Sequence, residues 1–86
     1  VFVPRETPVI ETKELTFGQK AAGCGFNPSG NERVDECKQA FADIIDAMHA
    51  LRTEAGPGEV ARMASEAITN AQTAQMWAVK ALTWRH

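Results

Sequence analysis

Much that would announce a function is missing from this chain. No run of eighteen apolar residues is present to span a bilayer, and no basic segment leads into an apolar stretch as in a signal peptide. A cytosolic location is therefore expected. The chain opens on Val1 rather than Met, so a few native residues are expected to precede it. The two cysteines, Cys24 and Cys37, lack CxxC spacing and a nearby histidine pair, which argues against zinc and implies no structural disulfide. Both read as reduced thiols, Cys37 within a helix. His49 and His86 stand apart, with no metal-ligand company and no serine or cysteine motif that marks a nucleophile. The segment "FGQKAAGCG" holds glycines without the spacing of a P-loop. Positive charge is scarce as well: at a net charge of -2 the protein lacks the many cations that duplex binding requires. No enzyme, cofactor, duplex nucleic acid or membrane is expected from this pattern, and any anionic ligand must be small and locally held.

What remains is one small soluble domain of 86 residues with 44% hydrophobic content. Residues 1–25 set Pro4 and Pro8 among Val1, Val3, Val9 and Ile10, which suits an extended arm or edge strand, with a short turn of helix over "FGQKAA" stopped by Gly23. A long helix is predicted to start after Ser29 or Asn31; Ser29 with Glu32 fits a capping box, and Glu32, Asp35 and Glu36 suit the helix dipole. Its seam reads Val34, Cys37, Phe41, Ile44, Met48 and Leu51, widened by Ile45, and it should fade before "EAGPGE". A second long helix from about Glu59 carries Val60, Ala64, Ala67, Ala71, Ala74, Ala78 and Ala81, a seam made almost entirely of alanine. Small side chains bury little area at roughly 25 cal/mol per Å². Ile68, Met76, Trp77, Val79, Leu82 and Trp84 lie off that line, so the helix has apolar groups on more than one side. The expected fold is all-α: an antiparallel hairpin of two long helices (residues 26–86) behind an N-terminal arm or short helix (residues 1–25). It is expected to assemble as a homo-oligomer that buries the second apolar side.

Candidate chemistry lies at the start of the first long helix. Phe26 precedes a Pro-fixed turn, where its ring either stacks on a base, worth about 1 to 3 kcal/mol, or folds onto the helix as a hydrophobic staple; the two readings stand level. Arg33 and Lys38 lie on the first and second turns, close to backbone N–H groups that suit phosphate, the alternative being solvated cations in ion pairs. Along the second helix Arg62, Thr69, Gln72, Thr73, Met76 and Lys80 form a polar stripe that lines an intersubunit pocket or is a plain solvated face. Asp43 and Asp46, three apart, read as a solvated face rather than a catalytic pair, and His49 as a surface or interface residue. Trp77 and Trp84 read as interface core.

The strings "FNPSGNERVDECKQAFADIID" and "ARMASEAITNAQTAQMWAVKALTW" together resemble the helical hairpin domain of phage-encoded cyclic-oligonucleotide sponges, which oppose CBASS and Thoeris immunity. The resemblance covers residues 26 to 84. It implies a small helical homo-oligomer, commonly a hexamer, that sequesters cyclic di- or trinucleotides in the host cytoplasm without cleaving them. It also implies a dinucleotide clamp from Phe26 and Lys38 between two protomers, and a trinucleotide pocket using Arg62. Two departures stand out: Phe26 occupies a position where a tyrosine is expected, and Ala40 one where some members offer a hydroxyl. Within that clamp Arg33 would assist Lys38 at phosphate, Asn27 and Ser29 would offer polar edges to base or ribose, and Thr69, Gln72 and Lys80 would serve the second pocket. The rival is an oligomeric interaction or structural phage protein with the same helices and no nucleotide ligand.

Overall fold

The computed structural model describes residues 14–85, and the expected extended arm over the first residues lies outside them. Three helices follow in order: α1 (Phe17–Ala22), α2 (Glu32–Ala55) and α3 (Glu59–Leu82). The long pair packs as a hairpin, broken at Gly56, Pro57 and Gly58 as the sequence predicts, although α2 runs on through Glu54 and Ala55. Gly56 takes φ 74° with ψ -177°, a conformation open to glycine and strained for other residues.

The α2 cap differs from the Ser29 to Glu32 capping box. Asn31 caps the helix instead, its side chain accepting from the Arg33 backbone N–H, while the Ser29 hydroxyl turns away to donate to Asn27 Oδ1 at 2.6 Å. An amide both accepts and donates, so Asn31 does a second job that a serine hydroxyl reaches less far to do: its Nδ2 donates to the Leu82 carbonyl at 3.4 Å. The beginning of α2 and the end of α3 are thereby joined.

Packing keeps part of each predicted seam inside, with Val34, Ala64 and Ala71 buried and Phe41 and Met48 against the core, and turns the rest outward. Ile45 on α2 and Ile68 and Ala71 on α3 make the core, with Phe41, Met48 and Ala21 packed against it. Ile68, off the alanine line, lies inside, whereas Val60, Ala74 and Ala81 of that line are exposed, as are Ile44 and Leu51 of the α2 seam. Burying an isoleucine is worth about 1.5 to 3 kcal/mol, more than an alanine supplies, so the helices rotate to oppose Ile45 and Ile68. Alanines 64 and 71 stay inside because their small side chains let α2 approach.

The short helix expected over "FGQKAA" is α1, closed by Gly23 at φ 75° and opened by a Thr16–Gln19 capping box. At six residues it has no stability of its own, and α2 supplies it. Gly18 permits the contact, since a Cβ there would lie 2.1 Å from the Ala42 carbonyl oxygen and 2.8 Å from Asp46 Cγ. Asp46 accepts from the Thr16 hydroxyl and from the Gly18 N–H, both at 2.7 Å. It is therefore a docking residue rather than part of a solvated face. His49 stacks on Phe17 with ring centres 4.3 Å apart, and Arg52 covers the same ring at 5.2 Å while donating to Ser65 on α3 at 2.9 Å.

Candidate functional site

The turn between α1 and α2 is built largely from its own side chains. Asn27 Nδ2 donates to the Asn31 carbonyl at 2.8 Å, and Asn27 Oδ1 accepts from both the backbone N–H and the hydroxyl of Ser29. The Ser29 oxygen in turn accepts from the Asn31 N–H at 3.1 Å. With its polar groups turned inward, the turn sends the Phe26 side chain outward, where it is 69% exposed. The hydrophobic staple, one of the two readings of Phe26, is thus excluded: the ring is not folded onto the helix.

Lys38 does not project from the helix into solvent. It is 8% exposed, and its ammonium donates to the carbonyls of Gly23 (3.2 Å) and Phe26. The same ammonium lies 5.5 Å from the centre of the Phe26 ring, within cation–π range. Two of its three N–H donors are spent on the turn, which leaves one for a ligand.

A cavity of about 430 Å³ opens beside this pair. One wall is the turn, with Phe26, Asn27, Pro28 and Ser29; the floor is Val34 and Lys38. The far wall comes from the end of α3, through Val79, Thr83 and Arg85. A second cavity of about 420 Å³ shares Asn27 and Lys38 with the first and is lined also by Cys24, Asp35 and Gln39. Burial raises the Cys24 thiol pKa, Lys38 opposes the shift, and Asp35, Asp43 and Asp46 reinforce it. Both cysteines are free thiols.

Four of the predicted residues therefore share one cavity: Phe26, Asn27, Ser29 and Lys38. Arg33 is exposed on the first turn of α2 and does not line it. The α3 stripe is spread along the helix, and its members have separate partners. Arg62 grips Glu59 through Nε at 3.1 Å to each carboxylate oxygen and through Nη2, which lowers the pKa of Glu59 and raises that of Arg62. Gln72 donates to the Ala21 carbonyl at 3.3 Å, Lys80 lies 5.5 Å from the Trp77 ring, and the Thr69 carbonyl accepts from the Thr73 hydroxyl. None of these four lines the Phe26 cavity. Sequence reasoning missed Val79, Thr83 and Arg85, which join the site only because the hairpin returns the end of α3 to the start of α2. The one signal available was Asn31, whose amide can bridge two helix ends.

The protein is thus an all-helical hairpin with a small cavity at its open end, lined by an exposed aromatic ring and a buried cation. Residues 19–83 match the family model described as Acb2/Tad1, hairpin domain, and the chain belongs to that family, the anti-CBASS and Thoeris sponges. No curated protein and no solved structure matches the chain.

Proposed function

We propose that the protein binds cyclic oligonucleotide immune messengers in the host cytoplasm and sequesters them without cleavage, with cyclic dinucleotides such as 3′,3′-cyclic GMP-AMP held in the Phe26 cavity. The observation that carries this reading is the pairing of an exposed Phe26 ring with the Lys38 ammonium beside one cavity. A cyclic dinucleotide offers what that pair recognises: bases with π faces to stack, and phosphodiesters to meet a cation. The family membership agrees with a sponge. Among the described residues no group of three or more histidine, cysteine or acidic side chains is placed to hold a metal.

Assembly completes the proposal. Met63, Ala67, Asn70, Ala74, Trp77 and Ala81 recur at spacings of three and four along one side of α3; Ala67 is half-buried, the others are exposed, and Trp77 is 65% exposed. An apolar stripe of this kind is suited to burial against further copies of the chain, a hexamer by resemblance to the family. In such an assembly the Phe26 cavity would be closed by a neighbouring protomer, and Arg62, Thr69, Gln72 and Lys80 would serve a trinucleotide pocket. The rival interaction module shares the stripe and differs only at the cavity. The discriminating experiment incubates the protein with 3′,3′-cyclic GMP-AMP, removes unbound nucleotide, heats the complex and chromatographs what is released. A sponge releases intact cyclic nucleotide. A linear product would identify a phosphodiesterase, and retention of no nucleotide from a cyclic di- and trinucleotide panel would leave the interaction module.

A further inference from the structure

We infer that Arg85, at the end of α3, is a phosphate-binding residue of the Phe26 cavity; the inference rests on the nucleotide-binding reading proposed above. Most of the lining groups have already spent the N–H or O–H protons that they could offer an anion. The Ser29 hydroxyl is spent on Asn27 Oδ1, and the Thr83 hydroxyl on the Val79 carbonyl at 2.8 Å. One Asn27 amide proton goes to the Asn31 carbonyl, and two of the three Lys38 protons go to the turn. That leaves one N–H on Lys38 and one on Asn27. Arg85 lines the same cavity, and among the described residues its guanidinium has no hydrogen-bond or ion-pair partner, so five N–H donors remain in a fork matched to phosphate oxygens.

Charge gives the same answer. A cyclic dinucleotide carries two phosphodiester charges, and Lys38 is a single, mostly buried cation. The end of α3 adds the negative pole of its dipole to that wall, so a phosphate arriving there needs a cation beside it. Arg85 is the other cation on the cavity lining. The chain just before it is anchored: Thr83 N–H donates to the Val79 carbonyl at 3.0 Å, Trp84 N–H donates to the Ala81 carbonyl at 3.4 Å, and Asn31 binds the Leu82 carbonyl. Arg85 also lines the adjoining cleft with Ser29, Asn31 and Trp84, so its side chain stands at the rim between the two.

The test is calorimetric titration of 3′,3′-cyclic GMP-AMP into the wild type and into Arg85→Gln, Arg85→Lys and Phe26→Ala, each checked by thermal denaturation. Loss of one charge-assisted contact should raise the Kd of Arg85→Gln about tenfold. Arg85→Lys should fall between that variant and the wild type. Tm should stay at the wild-type value in both, because the side chain has no internal partner. Binding by Arg85→Gln within twofold of wild type, while Phe26→Ala loses it, overturns the role of Arg85 and leaves the nucleotide-binding reading standing. Absence of wild-type binding across a cyclic dinucleotide panel overturns both.

Discussion

Lys38 and Phe26 are joined twice: the lysine ammonium donates to the phenylalanine carbonyl and lies 5.5 Å from the centre of its ring. The cation thus fixes the turn that presents the aromatic face and keeps its charge at the cavity floor. Removing it should therefore affect both folding and binding.

Lys38→Met keeps the buried stem and deletes the ammonium, leaving the Gly23 and Phe26 carbonyls without that donor. An unmade buried hydrogen bond costs about 1 to 3 kcal/mol. Differential scanning calorimetry should show Tm falling by several degrees, since about 1 kcal/mol moves a domain of this size by roughly 4 to 8 °C. An unchanged Tm would mean that the lysine does not hold the turn.

Gly18→Ala should undock α1. Its Cβ would meet the Ala42 backbone, which cannot give way as a side-chain tip can. Overpacking of this kind costs about 1 to 3 kcal/mol, and amide exchange should quicken over residues 17–22 while the α2 and α3 cores keep their protection. Uniformly faster exchange would show that α1 is not a separable unit.

Of the fold, the sequence made the hairpin, its Gly-Pro-Gly break and the α1 turn legible, because these follow from local spacing and glycine chemistry. The facing of the helices was legible only in part: Val34, Ile45, Ala64 and Ala71 lie inside as their seams predict, but Ile68 does too. Val60, Ala64, Ala67 and Ala71 repeat at the right period, but the repeat gives no rank to alanine against Ile68, and burying the larger side chain decides the rotation. Half of the candidate site was visible for a similar reason. Phe26, Asn27, Ser29 and Lys38 lie within thirteen residues of one another, whereas Val79, Thr83 and Arg85 reach the cavity through tertiary return of the chain. Asp46 was misread because its partners, Thr16 and Gly18, come from a helix 28 or more residues earlier.

Cys24 should alkylate more slowly than an ordinary exposed thiol at pH 8, because burial raises its pKa above the ordinary value of 9.0. Iodoacetamide kinetics in a Cys37→Ser background measure this. Lys38 pulls the thiol pKa down, so Lys38→Met should slow alkylation further. Folding favours the neutral thiol. Its contribution to stability is therefore complete below 9.0 and declines as pH rises from there towards the folded-state pKa.

Met63→Glu with Trp77→Glu places charge on the exposed stripe of α3 without touching the Ile45–Ile68 core. Light scattering should report an assembly for the wild type and a monomer near 9.4 kDa for the double variant. A monomeric wild type would remove the oligomer from the account.

The most direct measurement is calorimetric titration of 3′,3′-cyclic GMP-AMP into the wild type and Phe26→Ala, with the Tm of both recorded. The account predicts saturable binding by the wild type and its loss in the variant at unchanged Tm, because an exposed ring contributes to stacking and little to stability. Equal binding by the two proteins would contradict it, since the ligand would then lie somewhere other than the Phe26 cavity.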